Sequence, residues 1–368
     1  VLWYVFRCSL ILAKYCVSTP VPAITSVAQK VNDSRGRFLA GRLSRLMTNS
    51  DWQPTASITA LRERANVIAC IRSFFSQHAV LEVETPLLAR HSVTDPYMEI
   101  LKGDNPLGKS GAFYLQTSPE YAMKRLLAAG SGPIFEITKA FRKGEQGSRH
   151  NPEFTLLEWY RPGFNHFQLM TEIESLVGGL LSCDRPFLRM SYGEMFQQFL
   201  NINPHTISCD ELSALARNTI DVQMQSAQKD DWLNIVLTEI IEPQLGIDVP
   251  VFIYDYPASQ SALAKTVIND EGILVAQRFE LYVRGIELAN GYFELTDAGE
   301  QEKRFQGEQS MRLALGVEQI EVDIYLLAAM NEGLPSCAGV ALGVDRLVML
   351  ALQMKNIADV IAFPSDRA

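Results

Sequence analysis

Arg142, Arg149 and His150 fall within nine residues of one another in FRKGEQGSRHNPEFTLLEWY, with Glu145 between the arginines and Gly144 and Gly147 flanking it. A guanidinium offers phosphate oxygens a rigid fork of donors, so a loop of this composition suits a polyphosphate. Asn151 and Pro152 close the cluster, and the apolar run after it carries Glu153, Glu158 and Tyr160. A solvated hairpin laced with surface ion pairs is the alternative reading of the same residues.

Two further stretches carry chemistry. In RFELYVRGIELANGYFELTD, Glu280, Glu287 and Glu294 recur every seven residues among Phe279, Leu281, Ile286 and Leu288, with Asn290-Gly291 between the last two acids. Carboxylates in so apolar a setting need cations, either Mg²⁺ or an ammonium group. Structural ion pairs would also satisfy them. In SCAGVALGVDRLVMLAL a glycine-spaced strand runs into Asp345-Arg346 and an apolar helix. A cation at a helix N-terminus is unfavourable unless an anion lies opposite, although close packing of small residues would explain the glycines equally well.

These residues need elements to hold them. PIFEITKAF alternates apolar and polar residues and predicts a strand, EFTLLEWY predicts its antiparallel return, and the cationic loop joins the two. Alternation then puts Glu158 and Tyr160 on one face and Trp159 on the other. From Thr59 to Gln77, Leu61, Ala65, Ile68, Ile71, Phe74 and Phe75 recur at helical spacing. AVLEVETPLL reads as a strand closing on Pro86, a residue that marks an edge, a turn or an interface. FYLQTSPEYAMKRLL reads as a short strand followed by a helix opened by Ser118-Pro119, with Glu120 in its first turn; simple capping accounts for that much. The stretch from Tyr160 to Ala258 predicts a largely helical insertion between strands.

Composition sets the outer limits. The 368 residues, 47% hydrophobic, are enough for a large core, and the net charge of −9 argues against a general nucleic-acid binder. Residues 1–46 differ from the rest: seven Lys or Arg stand against Asp33 alone, which leaves the remaining chain near −15. Arg7 and Lys14 interrupt the early apolar run, which is too short and broken for a transmembrane helix and has its charge misplaced for a signal peptide. We expect a leader or upstream extension over 1–46 and one catalytic domain over 47–368. Cys8, Cys16, Cys70, Cys183, Cys209 and Cys337 are scattered without a CxxC pair, as expected of reduced thiols in a cytoplasmic enzyme.

Taken together, the strand ending at Pro86, FRKGEQGSRHNPEF and ALGVDR resemble the three signature motifs of class II aminoacyl-tRNA synthetases. TSPEYAMKRLL, RHNPEFTLLEWY, GIELANGYFEL and DVIAFP are closest to the lysyl-tRNA synthetase run, and the likeness covers residues 57–368. The resemblance implies an α+β fold, an antiparallel sheet flanked by helices. Too few residues precede the first core helix for the anticodon-reading barrel of that family. The shortened form is similar to a family of ligases that activate (R)-β-lysine with ATP and attach it to a lysine of elongation factor P. Two departures agree with this. The synthetase TAPE reads TSPE here, with Ser118, and GLGIGIDR reads GVALGVDR, with Ala341, so both pocket-wall side chains are larger. A third touches adenine recognition: the motif 2 pattern Phe-Arg-x-Glu has Gly144 at the acid's position, with Glu145 following.

By this resemblance Arg142 grips the α-phosphate and the amino acid carboxylate, and Arg346 the γ-phosphate. Lys143, Gly144, His150, Asn151, Leu288 and Gly343 complete the ATP site. Glu280 and Glu287 hold Mg²⁺. Ser118, Pro119, Glu120, Glu158, Tyr160, Asn290, Glu294 and Ala341 form the amino acid site, in which two acids meet two ammonium groups. The family also implies a homodimer through the Pro86 strand; no membrane association is expected, and the acidic core with no basic arm of its own counts against tRNA binding. Charging of tRNA is the alternative activity, and a non-catalytic regulatory paralogue a third; Arg142, Glu287 and Arg346 speak against the last.

Overall fold

The structure, a computed structural model, describes residues 52–368 apart from 225 and 227. The expected leader over 1–46, and with it the boundary at 47, lies outside the described residues.

Nine strands among the described residues form one sheet, in the order β1 (Leu81–Glu82), β5 (Ile134–Phe141), β6 (Glu153–Pro162), β12 (Cys337–Gly343), β11 (Ile286–Phe293), β10 (Leu274–Val283), β8 (Val251–Pro257) and β7 (Leu188–Ser191). The ninth, β9 (Thr266–Ile268), pairs with β10. A second, three-stranded sheet joins β2 (Leu88–Ala89), β4 (Ala112–Leu115) and β3 (Lys102–Asp104). The centre of the large sheet is antiparallel, whereas β1 runs parallel to β5 and β7 parallel to β8. The α+β architecture with helices on an antiparallel sheet is therefore present. One expectation needs correcting: the 160–258 insertion is not only helical, because β7 and β8 extend the main sheet. The apolar run of β8 is buried and reads no differently from a helix face by periodicity, and the four-residue β7 is too short to mark.

Helix Ile58–Gln77 starts at Ser57, whose hydroxyl accepts from Ala60 N at 3.1 Å, and buries Val67, Ile71, Phe74 and Phe75. It packs with helices His166–Leu181 and Val344–Leu352 on one face of the sheet, around Trp159, Leu157, Phe279 and Val340. Asp345, at the start of the last helix, is buried. It pairs with Arg64 Nη1 at 2.6 Å and accepts from Thr155 N at 2.8 Å, so one carboxylate joins the first helix, the last helix and β6. Trp159 points into this core and donates to Glu172, as strand alternation requires. The other face of β6, β11 and β12 is left for the site.

His166 is 2% exposed and neither ring nitrogen has a partner. Burial pushes its pKa down to about 4, below the roughly 6.5 of an unfolded chain. A depressed histidine adds stability above the unfolded pKa and loses it as pH falls from there towards the folded one. His166→Leu is therefore expected to gain stability relative to wild type by roughly 3 kcal/mol between pH 7.5 and pH 4. Urea unfolding of both proteins across that range checks it; parallel curves would mean that His166 does not titrate differently on folding.

Candidate active site

A cavity of about 450 Å³ opens over β6, β11 and β12, within the range of small-molecule sites. One end is cationic. Arg142, Arg149 and His150 enter it from the β5–β6 loop, and Arg346 from the first turn of helix Val344–Leu352. Gly147 and His150 bridge at the loop tip, and Gly144 sits at φ +81°, a turn conformation that suits glycine. Glu145, the acid displaced by one residue, lies 3.6 Å from Arg142 Nη1. Arg142 stacks on Phe154 at 5.1 Å and lines the cavity, and its buried Nε has no acceptor.

Arg346 is held from three sides. Nη1 donates to the Glu287 carbonyl at 2.7 Å, Nη2 meets His150 Nε2 at 2.6 Å, and Nε reaches the Arg149 carbonyl at 3.4 Å. Burial and then Arg346 push the His150 pKa down, which keeps that ring neutral and its nitrogen an acceptor. The Glu287 carboxylate lies 3.5 Å from Arg346 Nη1 and lines the cavity. Burial and then Glu280 raise its pKa, opposed by Arg346 and Arg142.

The other end is acidic. Glu158 accepts from Tyr160 Oη and Ser118 Oγ, each at 2.7 Å, while Ser118 Oγ also accepts from Glu120 N at 3.0 Å. The Ser118 hydroxyl thus caps the helix and binds the pocket acid together. Burial, then the nearby Glu120, pushes the Glu158 pKa up; burial, offset by Lys124, also pushes that of Glu294 up. Lys124 Nζ stands 2.7 Å from Glu120 and 2.6 Å from Glu294. The Glu294 contact has ion-pair distance without hydrogen-bond geometry, and both Glu294 oxygens are buried without a hydrogen-bond donor. Asn290 Oδ1 is likewise unpartnered. Ala341 is the cross-strand neighbour of both Glu158 and Asn290, which puts its methyl on the pocket floor between them. At Gly339 a Cβ would overlap the Tyr160 ring and the Glu294 carboxylate, so this strand position must be bare.

The cavity gathers Arg142, His150, Asn151, Glu287, Leu288, Gly343, Arg346, Ser118, Glu120, Glu158, Tyr160, Asn290, Glu294 and Ala341. Four other expected residues lie off its lining. Lys143 extends outward to Glu99 at 3.0 Å, Gly144 forms the turn, and Pro119 precedes the helix. Glu280 is buried, accepting from Tyr256 and Tyr282 at 2.6 Å each and from Arg278 at 2.5 Å. Asn151 lines the cavity, yet its amide also ties Glu153 O to Ser365 N, which anchors the loop to the C-terminal segment. Lys124, Arg278 and Gly339 were missed by reading the sequence. Only Lys124 left a signal, its i,i+4 spacing from Glu120.

A cationic loop and a helix-borne arginine facing a carboxylate-lined pocket, on this antiparallel sheet, define the catalytic domain of a class II synthetase. Residues 49–367 match the family model for tRNA synthetases class II (D, K and N). The chain is 49% identical over 322 residues to the "Elongation factor P--(R)-beta-lysine ligase" of Pseudoalteromonas translucida, covering 86% of this chain and 98% of that one. It is 47% identical over 327 residues to the protein of the same name from Vibrio cholerae, with 88% and 100% covered. Against that from Hamiltonella defensa subsp. Acyrthosiphon pisum it is 45% identical over 326 residues, with 87% and 99% covered. The chain belongs to the class II synthetase family, within the ATP-dependent ligase branch formed by these relatives.

Proposed function

We propose that the protein activates (R)-β-lysine with ATP and transfers it to a lysine side chain of elongation factor P. The observation that carries this is the two-ended cavity: phosphate-binding cations at one end, and Glu120, Glu158 and Glu294 at the other. The carboxylate of the amino acid, directed by Arg142, attacks the α-phosphorus of ATP. An O–P bond forms, the α–β bridging bond breaks, and pyrophosphate leaves against Arg346. The ammonium groups of the diamino acid meet the carboxylates of Glu120, Glu158 and Glu294 that line this end. A deprotonated lysine ε-amine of the acceptor protein then attacks the carbonyl carbon, forming an amide and releasing AMP.

Among the described residues no three His, Cys, Asp or Glu side chains form a metal cage. Mg²⁺ characteristically takes one or two carboxylates together with substrate phosphates, and Glu287 beside Arg346 is such a partial site. Glu280, held by Tyr256, Tyr282 and Arg278 off the cavity lining, would add its charge near that site without being free to ligate. When bound, the ion would neutralise phosphate charge. No helix among the described residues is long and apolar enough to cross a membrane, and we place the enzyme in the cytoplasm.

A homodimer through the β1–Pro86 segment is part of this reading, supported by Leu81 and Leu87, which are exposed at 56% and 41% on that edge. Light scattering at micromolar concentration should give twice the chain mass, and a monomer mass would remove this part. The function itself is tested by ATP–pyrophosphate exchange with lysine and both β-lysine enantiomers. Exchange strongest with (R)-β-lysine is expected; preference for α-lysine, with charging of tRNA, would overturn it.

A further inference from the structure

Lys124 is 2% exposed, although an ammonium is rarely buried so fully. It lies one helical turn after Glu120 and reaches across to Glu294, which follows β11 some 170 residues later in the chain. Apolar Met123, Leu127, Ile134 and Leu334 wall this corner. The ionisable groups around it are Glu120 on its own helix, Glu158 and Tyr160 on β6, Tyr292 and Glu294 at the end of β11, and Cys337 on β12. Burial pulls its pKa down, but Glu120 and Glu294 more than offset this and hold it charged. Once all three carboxylates of this corner are ionised, as a bound dication favours, this one fixed cation leaves two negative charges. A diamino acid brings two ammonium groups, while its own carboxylate lies towards Arg142.

We propose that Lys124 is a positioning residue that sets the charge of the amino acid end, holding Glu120 and Glu294 ionised and aligned so that the pocket takes a doubly cationic substrate. This rests on the reading that a diamino acid binds there. Lys124 itself does not touch the reacting atoms. Without it, three carboxylates crowd one apolar corner, and the free pocket takes up a further proton that the substrate must displace.

The test uses Lys124→Met, which keeps volume, and Lys124→Gln, which is one atom shorter but keeps donor hydrogens, both in the full chain. Pyrophosphate exchange is measured against (R)-β-lysine, lysine and ATP between about pH 7 and 8.5. At pH 7 both variants should raise KM for the diamino acid about tenfold or more, with kcat and the ATP KM changed less than about threefold. The defect should shrink as pH rises, because the displaced proton is then absent, whereas lost packing would give a pH-independent defect. An unchanged KM, a flat defect, or parallel losses in kcat and ATP KM would overturn the role. Protection against thermal unfolding by ATP checks that the variants fold; if neither is protected, Lys124 is a folding element and the proposal fails. Wild-type exchange with neither diamino acid would instead bring down the reading of the substrate, and that outcome is seen before any variant is compared.

Discussion

Arg142→Ala is expected to lower kcat/KM for amino-acid-dependent pyrophosphate exchange by about 10²–10³-fold, the scale seen when one preorganised donor to a developing charge is removed. The side chain is already aimed before substrate arrives, by Phe154 beneath it and Glu145 beside it. Its guanidinium lines the cavity, where the phosphate or the amino acid carboxylate would meet it. Arg142→Lys keeps the charge but loses the planar fork, so it should recover only part of the loss. Steady-state exchange with each variant, alongside thermal unfolding to confirm the fold, decides this. A loss below tenfold in Arg142→Ala would mean that the cationic end works through Arg346 and Arg149 instead.

The second large effect separates two acids that the sequence makes look alike. Glu287→Gln should lower kcat for adenylation with every amino acid tried, because it removes a charge next to Arg346 at the phosphate end. Its dependence on Mg²⁺ concentration should also steepen. Glu294→Gln should mainly weaken amino acid binding, by about 2–4 kcal/mol, the scale for truncating one side of a buried charge pair. The ATP constant should change little, since Glu294 lies with Lys124 at the opposite end. Exchange measured against amino acid, ATP and Mg²⁺ yields both profiles. Matching profiles, or an ATP defect in Glu294→Gln as large as its amino acid defect, would mean that the two ends are misassigned.

Much of this site was legible because its residues sit on regular elements. Alternation along β6 was enough to group Glu158 with Tyr160 and send Trp159 into the core, and the cationic loop lies between the two strands that its flanks foretold. The seven-residue spacing of the acids was less informative than it looked. Residues seven apart on a regular strand face opposite sides. Here Glu280 precedes the turn at Arg284-Gly285, a register shift follows Leu281, and Glu294 lies beyond the end of β11, so Glu287 and Glu294 share a cavity while Glu280 is buried under two tyrosines and an arginine. Lys124, Arg64 and Arg278 went unseen for another reason. Lys124 meets Glu294 170 residues away and Arg64 meets Asp345 281 residues away, while Arg278 and Glu280 share a strand face whose burial only the fold reveals. The parallel edge strands β1 and β7 span four residues or fewer, too short for any periodicity to mark.

The central claim is that the activated amino acid goes to a protein lysine. Intact-mass spectrometry of elongation factor P, after incubation with the enzyme, ATP, Mg²⁺ and (R)-β-lysine, tests it most directly, with a parallel reaction offering tRNA instead. The expected result is one added β-lysyl residue per elongation factor P molecule, located on a lysine by fragmentation and absent without ATP, with tRNA left uncharged. Charged tRNA beside unmodified elongation factor P would contradict it.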